Sequence, residues 1–326
     1  MLFKWNIIAF RTVQSYNYFT FIIMKWELMV LGSSSATPTS ERNPSAQVLN
    51  CGDRLFLIDC GEGTQMQLRK FKVKFQRIDH IFISHLHGDH YLGLAGLLFT
   101  YHLLGRKKGL HIYSNPELRE IIDLQLKASG TRLLYSLIFH DIPENKALSL
   151  FEDKKIGISC FPLLHRVPTH GFTFRQKIAE RNLIKEKIAD LEIPIQQLAT
   201  IKKGGDFTDK YGKIHPNSEL TTAPPAPRIF AYCSDTGFNP KIVPYIKNAS
   251  LLYHEATFMH NMRANADEKQ HSTTIQAATI AKKAQVNKLL IGHFSARYDE
   301  LTEVIEETRT VFPDAELAIE GNTYKI

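Results

Sequence analysis

From residue 25 onward, short apolar runs of β type alternate with stretches of helical periodicity. The series opens with the alternating strand pattern Trp26-Glu27-Leu28-Met29-Val30-Leu31, which stops at Gly32. Strands are predicted at 25–31, 46–50, 54–60, 79–84, 110–113, 156–163, 228–233, 250–254 and 287–292. Helical patterns fall near 62–71, 91–104, 116–128, 272–285 and 299–309. The early strands are closely spaced, with Asn50-Cys51-Gly52-Asp53 reading as a hairpin turn, whereas the later ones alternate with helices. That order predicts sheets covered by helices in an α/β layered architecture.

Two stretches depart from the rhythm. Residues 1–23 carry apolar runs too short and too interrupted for a signal peptide or a membrane span, and no small-residue cleavage site follows them. Met24 stands directly before the first strand, so 1–23 is read as a non-native or disordered extension and 24–326 as the folded domain. The second departure is 176–227, charged and helix-prone at first, then marked by Pro194, Gly204-Gly205 and a Pro/Thr-rich end at 221–227. A connection of that length without core periodicity is predicted to be an inserted arm.

Composition adds a partner class. The chain carries 40 Lys+Arg against 33 Asp+Glu, but unevenly: residues 24–299 hold a net charge of +10, and 300–326 are acidic. A basic body favours a polyanion such as nucleic acid, without saying anything of the fold. The four cysteines form no CxxC pair, which fits a reducing, cytoplasmic setting better than a disulfide framework.

The strongest chemical signal is Ser84-His85-Leu86-His87-Gly88-Asp89-His90, on the loop leaving the apolar run Ile81-Phe82-Ile83. Three imidazoles and a carboxylate this close cannot all enter a core unpartnered, and together they form a ligand set for zinc-type ions. Gly88 gives the loop the freedom to turn so that its neighbours converge. Further ligands are expected at other strand ends: His165 after 156–164, Asp235 after 229–233 and His293 after 289–292. Each alone could be a capping or core-edge residue; three repeats of one pattern argue for a shared site.

With these elements the chain resembles the metallo-β-lactamase superfamily, and within it the ribonuclease Z family. The resemblance rests on the HxHxDH loop together with Gly32-Ser-Ser-Ser-Ala-Thr-Pro-Thr, Arg42-Asn43, Ile58-Asp59-Cys60-Gly61-Glu62-Gly63-Thr64-Gln65, His254-Glu255-Ala256-Thr257, His271-Ser272-Thr273 and Gly292-His293-Phe294-Ser295-Ala296-Arg297-Tyr298. It implies a four-layer αββα sandwich with a protruding arm, and a zinc-dependent endoribonuclease that removes the 3′ trailer of precursor tRNA and leaves a 3′-hydroxyl. It further implies two zinc ions per subunit, one on His85, His87 and His165, the other on Asp89, His90 and His293, with Asp235 bridging. Asp89 would also orient or deprotonate the attacking water, His271 would protonate the leaving oxygen, and Glu255 would fix the His271 tautomer. The arm 176–227 would grip the tRNA, with Lys202, Lys203, Gly204 and Gly205 as phosphate contacts, and the family is commonly a homodimer.

Several residues keep two readings. Asp59 either orients a metal-bound imidazole or caps the helix near Glu62. His254 is either structural or catalytic, and Arg297 either grips a phosphate or is a solvated helix-start residue. The basic runs Arg69 to Arg77 and Arg106-Lys107-Lys108 flank the metal loop in sequence and are expected to meet the tRNA backbone. Another hydrolase of the same fold, acting on a small phosphodiester or sulfate ester, is the alternative; it predicts a short connection where this chain has its arm. A silent nucleic-acid-binding member would have lost ligands that are all in place.

Overall fold

The computed structural model describes residues 25–326, so the expectation for the N-terminal extension lies outside the described residues. The chain first lays down β1 (Trp26–Gly32), β2 (Ala46–Cys51), β3 (Arg54–Ile58), β4 (Ile78–Phe82), β5 (Leu110–Ser114) and β6 (Leu137–Asp141). β1 to β3 pair antiparallel, and β3 to β6 run parallel. A second sheet begins with the antiparallel run β7 (Leu148–Glu152), β8 (Ile156–Pro162) and β9 (His170–Gln176). The arm then carries the two-residue strands β10 (Asn182–Leu183), β11 (Phe207–Thr208), β12 (Ile214–His215) and β13 (Thr221–Thr222). β14 (Ile229–Cys233) rejoins the second sheet against β9, followed in parallel by β15 (Leu251–Glu255), β16 (Leu289–Gly292) and β17 (Ala315–Leu317). Finally β18 (Thr323–Lys325) crosses back to the free edge of β1, leaving two seven-stranded sheets.

Side-chain patterning explains the layers. β14 to β16 are buried throughout and read as unbroken apolar runs, as parallel strands covered on both faces must. Trp26, Leu28 and Val30 of β1 meet Phe56, Phe82, Phe172, Phe174, Phe230 and Leu290 between the sheets. On the outer face of the first sheet, Leu57, Ile81 and Ile112 pack under Leu94, Leu97 and Leu98 of the helix Gly93–Leu103. On the outer face of the second, Ala231, Leu252 and Ile291 receive Ala277, Ala278 and Ala281 of the helix Thr274–Ala284. That helix starts with a capping box: Gln276 N–H donates to Thr273 Oγ1 at 3.3 Å, and Thr273 N–H donates to Gln276 Oε1 at 2.9 Å. The molecule is therefore the expected four-layer αββα sandwich. Among the described residues no helix is long and apolar enough to cross a membrane.

Residues 177–228 leave the second sheet after β9 and return at β14. They form a unit around Ile193, Ile201, Phe207 and Leu220, with partly buried Leu183, Ile188, Leu191 and Leu198 packed against it. The core escapes a periodicity reading because its members come from several short elements, none long enough to show a repeat. The sequence also gives no strand for β6, β7, β9, β17 or β18. β6 and β7 are sheet edges with no fully buried position, so their pattern carries little hydrophobic contrast.

Candidate metal centre and active-site cleft

The parallel strands of both sheets end at one rim of the sandwich, where open α/β sheets present their ligand sites. β4 delivers the loop His85 to His90, which passes into the short helix Gly88–Tyr91. The β8–β9 connection delivers His165, β14 delivers Asp235, β15 ends in His254 and Glu255, and β16 is followed by His293. His293 adopts the left-handed backbone conformation (φ 61°), as does Asp59 after β3 (φ 55°). Such conformations cost energy in a non-glycine residue and persist where the surroundings impose them.

The side chains form two groups that share Asp235. His87 Nδ1 lies 3.0 Å from His85 Nε2 and 3.2 Å from His165 Nε2. Asp235 Oδ2 faces the same pair, 3.6 Å from His85 Nε2 and 3.8 Å from His165 Nε2. Its other oxygen, Oδ1, lies 3.3 Å from His90 Nε2 and 3.2 Å from His293 Nε2, and Asp89 Oδ2 sits 3.3 Å and 3.2 Å from those two nitrogens. Within each group the candidate ligand atoms lie inside 4.8 Å of one another.

Hydrogen bonds on the far side of each ring fix which nitrogen faces inward. Asp59 Oδ2 meets His90 Nδ1 at 2.8 Å, Gln270 O meets His165 Nδ1 at 2.9 Å, and Thr257 Oγ1 meets His293 Nδ1 at 2.9 Å. Each of these rings is left with its Nε2 turned toward the group. His90 Nε2 and Asp235 Oδ1 are buried without a well-formed hydrogen bond. Burying unpaired polar atoms is costly, and a cation between them removes that cost, so the donor set fits metal ions. Burial holds His85, His87 and His165 in the neutral, metal-ready form. For His90, burial is outweighed by Asp89, Asp235 and Asp59, which raise its proton affinity well above the histidine range.

Asp59 takes the first of its two readings. Its carboxylate accepts from Ser84 N–H at 2.7 Å and Tyr232 O–H at 2.6 Å besides holding His90, while the following helix has no side-chain cap. Glu255 is wholly buried and saturated: Oε1 accepts from Thr236 and Ser272 N–H, both at 3.0 Å, Oε2 accepts from Thr257 N–H at 3.0 Å, and His271 Nδ1 lies 2.9 Å from Oε1. Burial opposes the charged His271 imidazole, but Glu255, Asp235 and Asp89 outweigh it and lift its pKa to about 9. His254 is buried outside the cleft lining, with Nδ1 2.7 Å from the Glu255 carbonyl, which is a structural placement.

The cleft over these groups has a volume of about 750 Å³ and is lined by His87, Asp89, Asp235, His271 and His293. Arg166, Lys269 and Arg297 add positive charge to its walls, and Arg297 lies over the Phe258 ring at 5.1 Å. Sequence reading missed Arg166 and Lys269, which carry no motif. Lys202, Lys203, Gly204 and Gly205 lie at the end of the arm helix Ile195–Lys202, outside the cleft lining.

Arg77, Arg106 and Lys108 of the basic runs lie away from the metal loop. Arg77 and Lys108 precede β4 and β5, whereas the metal loop follows β4, about 16 Å of strand away. Arg106 is buried and donates to Asp79 Oδ1 at 2.8 Å, the Gln76 carbonyl at 3.1 Å and the Gly109 carbonyl at 3.0 Å. Lys108 is also paired with Asp79. These bases brace the opposite end of the sheet and do not flank the metal loop in space.

Comparison with known proteins agrees with this geometry. A family profile described as anti-Pycsar protein Apyc1 matches residues 26–178. Ribonuclease Z of Bacteroides fragilis is 44% identical over 297 residues, covering 91% of this chain and 98% of that one. Ribonuclease Z of Phocaeicola vulgatus is 45% identical over 296 residues, with 91% and 96% covered. The crystal structure of the short form of human tRNase Z superposes with a TM-score of 0.68 at 28% identity, covering 92% of this chain and 99% of that one. The chain therefore belongs to the ribonuclease Z family of metal-dependent endoribonucleases, phosphodiester hydrolases of the metallo-β-lactamase fold.

Proposed function

We propose that this protein matures the 3′ end of tRNA, cutting the trailer from the precursor and leaving a 3′-hydroxyl, with two zinc ions per subunit. The observation that carries the two-ion reading is Asp235, which turns Oδ2 to one histidine group and Oδ1 to the other. His85, His87 and His165 would hold one ion, Asp89, His90 and His293 the other, and Asp235 would bridge. When bound, the ions would supply Lewis-acid charge at the scissile phosphate and make water there a stronger acid.

The remaining steps belong to the chain's own groups. Burial opposes the Asp89 carboxylate, but His90 and His293 hold it ionised far below the usual range. So strongly held an anion orients the attacking water better than it stores a proton. His271 carries a proton on Nε2 at neutral pH and gives it to the leaving oxygen, while Glu255 holds Nδ1–H and with it the tautomer. Arg297, with Arg166 and Lys269, meets flanking phosphates. The arm 176–227 grips the tRNA away from the cut, through Lys202, Lys203, Gly204 and Gly205.

A homodimer accounts for the helix Gly93–Leu103, which buries Leu94, Leu97 and Leu98 on one side while Leu92, Leu103 and Leu104 near its ends stay exposed. A helix apolar all round needs cover on both faces. All four cysteines are free and buried, in keeping with a cytoplasmic protein.

Purified protein incubated with end-labelled precursor tRNA, with and without chelator, tests the reading. Cutting after the discriminator base that stops with chelator supports it; cutting that persists in excess chelator, or no cutting with any metal, sinks it. Deleting 180–222 separates the alternatives. An RNA-gripping arm predicts weaker precursor binding with small phosphodiesters still hydrolysed, whereas a small-ester enzyme would lose nothing specific to tRNA.

A further inference from the structure

The cleft wall facing the metal groups includes Ser35, Ala36, Thr37, Pro38 and Pro44, all from the loop between β1 and β2. This loop has two stems, one at Ser33 and one at Asn43, and a single distant carboxylate grips both. Glu320 Oε1 accepts from Asn43 N–H at 2.6 Å and from Ser33 N–H at 3.3 Å. Its Oε2 accepts from Asn43 Nδ2 at 2.8 Å and from Gln67 Nε2 at 2.6 Å. Gln67 is itself anchored, donating also to the Leu31 carbonyl at 2.7 Å. Glu320 sits in the turn before β18, which is tied to β1 through Gly321 N–H to Val30 O at 2.8 Å.

The clamp reaches the metal loop through one close contact. A Cβ on Gly61 would fall 2.6 Å from Pro44 Cβ and 2.4 Å from the Asp89 carbonyl oxygen, so the wall and the metal loop meet over the bare face of one glycine. Pro44 and the segment that carries Asp89 are thus close neighbours there. A half-buried carboxylate spent on four donors from the loop and the helix beneath it is an expensive way to close a turn that β18 already closes.

We propose that Glu320 is a positioning residue of the substrate cleft: its carboxylate clamps both stems of the 33–44 loop and so sets the wall against which the RNA strand is laid beside the metal centre. The RNA part rests on the function proposed above; the clamp itself does not. Removing the carboxylate leaves Ser33 and Asn43 N–H without their acceptor and loosens the wall. Gln in its place keeps an acceptor for the two backbone N–H groups, and the Asn43 amide can turn to receive its NH₂, while Gln67 stays on the Leu31 carbonyl and loses only this one partner.

The test compares Glu320→Ala and Glu320→Gln with wild type in the metal-loaded protein. Precursor tRNA and bis(p-nitrophenyl) phosphate are the two substrates, and hydrogen exchange is followed over 33–44. Loss of the charge-assisted bonds should raise KM for precursor tRNA about tenfold in Glu320→Ala. The effect on kcat should be smaller, the KM for the small ester should move less than that for the precursor, and exchange over 33–44 should be faster. Glu320→Gln should recover most of both losses. Should Glu320→Ala not fold, Asn43→Ala, which removes only the side-chain half of the clamp, should show a smaller KM rise in the same direction. Unchanged precursor KM and unchanged exchange in a folded variant would overturn the proposal. So would a parallel fall on both substrates that tracks melting temperature and that Gln does not rescue. If wild type fails to cut precursor tRNA, the functional reading falls, and exchange over 33–44 alone decides the clamp.

Discussion

Histidines gather at the cleft rim and again within the first sheet, and the two gatherings are built differently. At the rim, the rings of the first group cross steeply: 81° between His85 and His87, 85° between His87 and His165, and 74° between His85 and His165, while His90 and His293 of the second group are tilted by 34°. Crossed rings turn their nitrogens toward a common point, and Asp235 stands at that point. Within the sheet, His80 on β4, His111 on β5 and His140 on β6 lie nearly flat on one another, at 18° and 20°. Their nitrogens are consumed sideways, His111 Nδ1 against His140 Nε2 at 2.9 Å and His80 Nδ1 against the Tyr113 hydroxyl at 3.3 Å. Flat stacking fills space between the sheets; crossed rings with carboxylates make a ligand cage. The same residue type thus gives a packed patch or a metal centre according to whether carboxylates converge on the inward-facing ring nitrogens.

The contrast extends to protons. Carboxylates raise His90 and His271 at the cleft, whereas burial, with a further contribution from His111, lowers His80 to about 4. The cleft thus sets charged His90 and His271 beside neutral His85, His87 and His165.

The comparison is broken most strongly by Asp235→Ala, which should empty the cleft of metal and reduce cleavage to background. His111→Asn should leave both metal content, read by elemental analysis, and turnover unchanged. Next in size, His271→Ala should lower kcat by about a hundredfold to ten-thousandfold, as loss of a general acid does, while metal content is retained. Glu255→Gln should cost less, and both variants are read in single-turnover assays. Metal uptake by the metal-free protein should release protons and strengthen as pH rises, because the proton that Asp89, Asp235 and Asp59 hold on His90 must leave before its Nε2 can take a cation. Titration with a metal-sensitive dye at several pH values measures this.

The smallest effect belongs to the stacked patch. With a folded pKa of about 4 and an unfolded value of about 6.5, His80 binds fewer protons folded than unfolded between those limits. Its share of stability is complete above the upper limit and is lost as pH falls through the window. The melting temperature of His80→Asn should therefore fall less steeply with acidification than that of wild type; equal slopes would remove His80 from this account.

The cleft was legible because each ligand follows an apolar strand within a few residues, so that local order in the chain matched convergence at the rim. The central strands were legible for the same reason, since a strand buried on both faces announces itself without its partners. What could not be read is what depends on distance. Asp59 meets Tyr232 across 173 positions, and Glu320 meets Ser33 across 287. Neither pairing leaves a periodic trace. Arg77, Arg106 and Lys108 show that flanking a loop in sequence is not flanking it in space when a strand intervenes. The edge strands β6 and β7 hid because a half-wet strand has no hydrophobic contrast to show.

The arm leaves the body between neighbouring antiparallel strands, with Gln176 N–H donating to the Arg228 carbonyl at 2.8 Å at its base. Topologically it replaces a hairpin turn. Loop-closure entropy grows only logarithmically with length, about 0.6 kcal/mol for each doubling, so the sheet hardly registers whether the turn is short or long. With its own small core, the arm can be recast without disturbing the sandwich, and the sandwich can drift without unseating the arm. The arm and the metal centre are in this sense separately heritable within one chain.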